Sequence, residues 1–162
     1  MKKHNFSAGP CILPKEVLDK AAQAVVNFND SGLSLLEISH RSKDFVGVMD
    51  QAQELALSLL NLEGKGYKAL FLHGGASLEF LMVVYHLLDT KAAYINTSTW
   101  SDKAIKEAKA YGEVIEVEPS KSAGHNYIPK IIQVPKDADY LNLTSNTPIY
   151  GTQFQQFPDV NV

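Results

Sequence analysis

The sequence predicts an α/β fold with crossover helices and a largely parallel sheet, on three observations. Short apolar segments of strand length alternate with helix-length segments through the second half of the chain. The connections between successive strand candidates are long enough to hold the crossovers that parallel pairing requires. The segments richest in glycine, hydroxyls and amides follow strand candidates, where open α/β sheets bind their ligands. A chain of 162 residues with 45% hydrophobic content can bury a core of this kind.

The first element expected is a helix from Pro14 to about Asn29, with Val17, Leu18, Ala21, Val25 and Phe28 at helical spacing. Pro14 suits a first helical position and Gly32 lies just past the end. "SGLSLLEISHRS" then forms an extended connection, and Asp44 to Asn61 is the second helix, with Phe45, Met49, Ala52, Leu55, Ala56 and Leu59 on one face. "YKALFLH" (67–73) reads as a short buried strand, followed by a glycine turn and a helix from about Ser77 to Leu88. "KAAYIN" is the next strand and "TSTWSDKAIKEAKAYG" the next helix, with Thr99 and Asp102 spaced as a capping box and Gly112 closing it. "EVIEVEP" and "ADYLNLT" supply two further strands.

Composition narrows the function classes. Fifteen basic and 18 acidic residues give a net charge of −3, without the basic stripe of a nucleic-acid-binding module. No window is long and apolar enough for a membrane span, and the amino terminus lacks the apolar segment of a signal peptide. The single Cys11 excludes an internal disulfide, reads as a packing residue, and suits a reducing compartment, so a cytoplasmic protein is expected. With no cysteine cluster and no second histidine at helical spacing beside His73, no metal site is expected.

Three segments meet on the expected ligand rim: His73 to Ser77, Asn96 to Trp100 and Thr144 to Gly151. Gly74-Gly75-Ala76-Ser77 opens a helix, where unpaired amides and the helix dipole favour an anion. It matches neither GxGxxG nor the nucleotide P-loop, so on spacing alone it reads equally as a structural turn and as an anion site. Trp100 reads either as a packing residue or as a stacking surface for a flat ring. The only arginine among the fifteen basic residues, Arg41, follows His40, and a guanidinium suits bidentate carboxylate or phosphate binding; a solvated surface role stands beside that reading.

In order along the chain, "NFSAGPCILP", "LLEISHRSKDF", "LFLHGGASLEF", "WSDKAIKEAKAYG" and "SNTPIYG" resemble the phosphoserine aminotransferase family, a class-V branch of the fold-type-I enzymes that use pyridoxal phosphate. The resemblance covers nearly the whole chain, which is less than half a family member. It implies a three-layer αβα large domain, incomplete over 16–162, preceded by a substrate-side segment over 1–15. It implies a homodimer that takes glutamate and a phosphorylated 2-oxo acid, 3-phosphohydroxypyruvate, as substrates. Ala76 and Ser77 fall where the family grips the cofactor phosphate, Trp100 where an indole stacks on the pyridine ring, and His40 and Arg41 where substrate acid groups are received across the dimer interface. Ala8 lies in the loop near the substrate.

Three departures accompany it. At Ser77 some family members carry a basic residue, so the resemblance implies that phosphate anchoring here leans more on backbone amides. Pro148 stands where a family threonine contacts the cofactor and offers neither hydroxyl nor amide hydrogen, so neighbouring Thr147 is the candidate substitute. None of the 14 lysines matches the Schiff-base lysine, which the resemblance places beyond Val162; no catalytic residue is therefore assigned. The expectation is a chain inactive by itself. The alternative is a non-catalytic α/β module that binds a phosphorylated metabolite or complements a missing half. A dinucleotide-binding domain is disfavoured by the glycine spacing.

Overall fold

The computed structural model describes residues 3–130 and 132–160, and the chain divides into two units, Met1–Phe71 and Leu72–Val162. In the first, α1 spans Lys15–Val26 and begins immediately after Pro14. A single 3-10 turn, Phe28–Asp30, follows with Asn29 and Asp30 at positive φ, so the helix expected to run to Asn29 breaks three residues earlier. Helix α2 spans Lys43–Leu59, capped by Ser42, whose hydroxyl accepts the Phe45 amide at 3.3 Å. The apolar stripes read from the sequence are present and largely uncovered. Phe28 is the one buried residue among those described in this unit, and Leu59 at the end of α2 is 83% exposed.

The strand expected over 67–73 is not formed. The segment carries no ladder and no regular structure, and Leu70 is 70% exposed. Its apolar content predicted burial, but a strand exists only against a neighbour that accepts its hydrogen bonds, and none of the described residues pairs with it.

The second unit carries the sheet. Helix α3 (Gly75–Leu87) leads into β1 (Lys91–Ile95), α4 (Thr99–Ala108) and β2 (Glu113–Val117). A 3-10 turn at Lys121–Ala123 precedes β3 (Leu141–Asn142), and β4 (Asn146–Thr147) pairs with β5 (Thr152–Gln153) as a small antiparallel hairpin. The main sheet has the order β2-β1-β3, all parallel, with Ala93 beside both Ile115 and Leu141. Parallel pairing and the crossover helix α4 agree with the α/β expectation. β3 is far shorter than the expected strand over 138–144, and α4 is capped by Ser98, not by a box starting at Thr99. The Ser98 hydroxyl accepts the Ser101 amide at 3.1 Å because Ser98 itself is still extended.

β1 is buried on both faces, which is why "AAYI" reads as a continuous apolar run. Ala92 and Tyr94 face one cluster with Val84 of α3 and Ala104, Ile105 and Ala108 of α4. Ala93 and Ile95 face the other, with Val117, Ala138 and Phe154. Within the first cluster the hydroxyls of Tyr94 and Tyr140 pair at 2.7 Å; burial pushes both phenols up, so the pair stays protonated and insensitive to pH near neutrality.

A carboxylate clasps the sheet's amino-terminal edge. One oxygen of Asp139 accepts the amides of Asp89, Thr90 and Lys91 at 2.8, 2.6 and 3.0 Å, joining the turn before β1 to the segment before β3. The Thr90 and Asp89 amides hold this carboxyl below its ordinary value. A depressed folded-state value means that the stabilisation is complete above the unfolded carboxylate's pKa and is lost as pH falls through the folded one. Asp139→Asn is therefore expected to lower the urea midpoint at neutral pH, and the gap to the parent chain should close as pH falls below about 4. A gap that widens in acid would contradict the assignment.

Candidate functional site

Helix α3 begins where Gly74 turns the chain. Gly74 has φ +101° and is the N-cap, and a Cβ there would lie 2.5 Å from Leu78 Cβ. Only glycine fits both the angle and the approach. The first intrahelical bond runs from the Leu78 amide to the Gly74 carbonyl, so the amides of Gly75, Ala76 and Ser77 lie ahead of it with no intrahelical acceptor. No acidic residue occupies the first turn, and the helix dipole there is uncompensated. Such an end is suited to an anion.

A cavity of about 570 Å³ opens beside this helix, a volume suited to a small molecule. One wall is the face of α3 made by Ala76, Glu79, Phe80 and Val83. Another part of the lining is the end of β3 and the chain after it, including Asn142, Thr144, Asn146 and Pro148, and Trp100 completes it. Trp100 is 37% exposed, and the ammonium of Lys103 sits 4.4 Å from its ring centroid. Glu79 is the one ionisable side chain among the described residues of the lining, and no lysine is among them.

The rim rule thus located the cavity from sequence for Ala76, Trp100 and the 144–148 segment. It missed Glu79, Phe80 and Val83, although their spacing of three, four and seven from Ala76 puts them on one helix face. Ser77 is exposed in the first turn of α3 and is not part of the cavity lining. Thr147 is 1% exposed and turned into the hairpin, where its hydroxyl donates to the Thr152 carbonyl at 3.1 Å and meets the Thr152 hydroxyl. Pro148, not Thr147, faces the cavity.

In the first unit, His40 and Arg41 are exposed in the turn before α2, the Arg41 amide donating to Ser39 Oγ at 3.1 Å. Ala8 is exposed in the amino-terminal segment.

A second polar group lies beside α4. Asn96, 1% exposed, donates from its one amide nitrogen to Asp102 at 2.7 Å and to Glu116 at 2.9 Å. The Asn96 bond and Lys121 draw the Asp102 carboxyl down against the opposing effect of burial; Asn96 and Lys109 do the same for Glu116. Both acids are thus charged and already paired, which marks a structural brace between β1, β2 and α4.

Residues 3–161 match the family model for class-V aminotransferases. The chain belongs to the class-V aminotransferase family. Among its relatives, the phosphoserine aminotransferase of Flavobacterium psychrophilum is 62% identical over 164 residues, a match covering 100% of this chain and 46% of the relative. A solved phosphoserine aminotransferase structure that records radiation damage of the Schiff base superposes with a TM-score of 0.90 at 44% identity, over 97% of this chain and 44% of that one. The pyridoxal-phosphate-bound phosphoserine aminotransferase of Trichomonas vaginalis gives 0.86 at 34% identity, over 98% and 46%. The chain therefore spans a little under half the length of the family members it matches. The chain shares its α/β fold with these phosphoserine aminotransferase structures.

Proposed function

We propose that the cavity beside α3 holds pyridoxal 5′-phosphate, and that this family member is a phosphoserine aminotransferase moving an amino group from L-glutamate to 3-phosphohydroxypyruvate. The observation that carries the reading is the meeting, in one cavity, of the amino end of α3 with the indole of Trp100. These two features answer the two ends of the cofactor: a dianionic phosphate and a flat heteroaromatic ring. The residues present fit it.

When bound, the cofactor supplies the electron sink of transamination. The chain's own part is binding and orientation. Ala76 lines the cavity, and its amide, with the amides of its neighbours Gly75 and Ser77 and the Ser77 hydroxyl just outside the lining, would receive the phosphate; Trp100 would pack on the ring; and Pro148 leaves its part of the wall without a hydrogen-bond donor. Across the dimer interface, His40 and Arg41 would receive a substrate acid group, and residues 1–15, Ala8 among them, would form the substrate-side segment. Action as a homodimer in the cytoplasm belongs to the same proposal. No helix of the described residues is long and apolar enough to cross a membrane.

The lining holds no lysine among its described residues, so this chain alone is expected to bind phosphorylated pyridine compounds without turning over glutamate. The test is a chimera in which this chain replaces the matched part of the Flavobacterium psychrophilum enzyme. The chimera should form O-phosphoserine and 2-oxoglutarate, while the 162-residue chain alone should form neither. Turnover by the chain alone, or a chimera indifferent to the substrate's phosphate, would contradict the reading.

A further inference from the structure

Trp100 is bracketed. On its amino-terminal side, Thr99 Oγ1 meets Tyr150 Oη at 2.8 Å; on its carboxy-terminal side, Ser101 Oγ meets Thr144 Oγ1 at 2.9 Å. Both bonds join the first turn of α4 to one stretch of chain, 144–150, of which Thr144, Ser145, Asn146 and Pro148 line the cavity. Each end is itself held. Ser101 is 1% exposed, and its hydroxyl also meets Ser98 Oγ, the helix cap, at 3.1 Å. The ring of Tyr150 packs on His125, centroids 4.9 Å apart, and His125 is 5% exposed.

A half-exposed indole at the start of a helix would ordinarily sample several rotamers on the picosecond-to-nanosecond scale, and its backbone would fray with the first turn. Hydroxyl pairs on both sequence neighbours remove the fraying, and they fix the turn against that stretch of the cavity lining. We propose that Tyr150 and Ser101 are positioning residues that set the width of the cavity at Trp100, so that the slot for a flat ring is formed before any ligand enters. Neither side chain belongs to the cavity lining, so both act through Trp100 and Thr144. Preorganisation of this kind strengthens binding by removing an ordering cost, without adding a contact. The inference deepens the cofactor reading and rests on it for the identity of the ring.

Trp100 is the only tryptophan of the chain, so intrinsic fluorescence reports on it alone. The test compares the 162-residue chain with Tyr150→Phe and with Tyr150→Phe/Ser101→Ala, first without ligand and then with pyridoxine 5′-phosphate. Time-resolved anisotropy should gain a fast depolarising component in Tyr150→Phe and a larger one in the double variant. Affinity for pyridoxine 5′-phosphate should weaken roughly 5-fold for each bond removed. Two results would overturn the proposal. One is unchanged anisotropy in the folded single variant, which removes one oxygen from a partly exposed side chain. The other is altered anisotropy with unchanged affinity. A parent chain that fails to bind pyridoxine 5′-phosphate would defeat the cofactor reading instead, while the ligand-free anisotropy would still decide whether the bracket holds Trp100. A merely structural pair of bonds would shift the urea midpoint and leave the indole's motion as it was.

Discussion

Gly74→Ala is expected to destabilise the chain and to weaken binding of every phosphate-bearing ligand by at least ~10-fold. The glycine sits at φ +101°, outside even the left-handed helical region that other residues reach at moderate cost. Its added methyl would meet Leu78 Cβ at 2.5 Å and Leu78 Cδ2 at 2.6 Å, and Leu78 is the residue whose amide closes the first turn of α3. Backbone strain plus overlap amounts to about 2–4 kcal/mol. Part of that cost would be relieved by rotating the turn, which turns the Gly75, Ala76 and Ser77 amides away from a common point. Gly75→Ala is the control. Its φ of +57° lies in the left-handed helical region and a Cβ there meets nothing within 4 Å, so the cost should stay near 1–2 kcal/mol. Urea denaturation measures the stability difference and calorimetry with inorganic phosphate measures the anion site. Equal effects of the two substitutions would contradict the steric account.

Trp100→Ala is expected to behave in the opposite way, sparing the anion site and losing the ring. Stacking of a flat heteroaromatic ring on an aromatic side chain contributes about 1–3 kcal/mol, which is roughly 10- to 100-fold in affinity. Trp100 is 37% exposed and lies outside both core clusters, so stability should change little. Calorimetry should show pyridoxine 5′-phosphate binding falling by that factor while inorganic phosphate binding is unchanged. A parallel loss of both ligands would mean that the indole supports the helix end and does not contact the ring.

Much of this arrangement was legible in the sequence, and the illegible parts have physical reasons. "AAYI" reads as a strand buried on both faces because its apolar run has no polar alternation, and the structure gives it a neighbour on each side. The glycine pair at 74–75 reads as the turn that opens a helix, and the φ of +101° at Gly74 shows why a glycine is needed there, although the strand expected before it is not formed. The segment 67–73 reads equally well as a strand, yet it joins neither sheet and is largely exposed. Pairing is a property of two segments, and the periodicity of one cannot show whether the other is present. Thr147 shows a second limit. Sequence places a hydroxyl next to Pro148, but alternation within a two-residue strand decides which side chain faces the cavity, and here the hydroxyl turns inward to Thr152. The bracket around Trp100 lies furthest from the sequence, since its partners are separated by 51 and 43 residues and no local pattern links them.

The most direct test of the central claim, that the cavity joins an anion site to a ring-stacking site, is a fluorescence titration of Trp100 with pyridoxine 5′-phosphate and with pyridoxine. Neither ligand carries an aldehyde, so reaction with surface lysines does not enter. The account expects saturable quenching by pyridoxine 5′-phosphate, with pyridoxine at least ~10-fold weaker, because one charge-assisted hydrogen bond alone contributes about 1.5–3 kcal/mol. Quenching of equal strength by both compounds, or none by either in the folded chain, would contradict it.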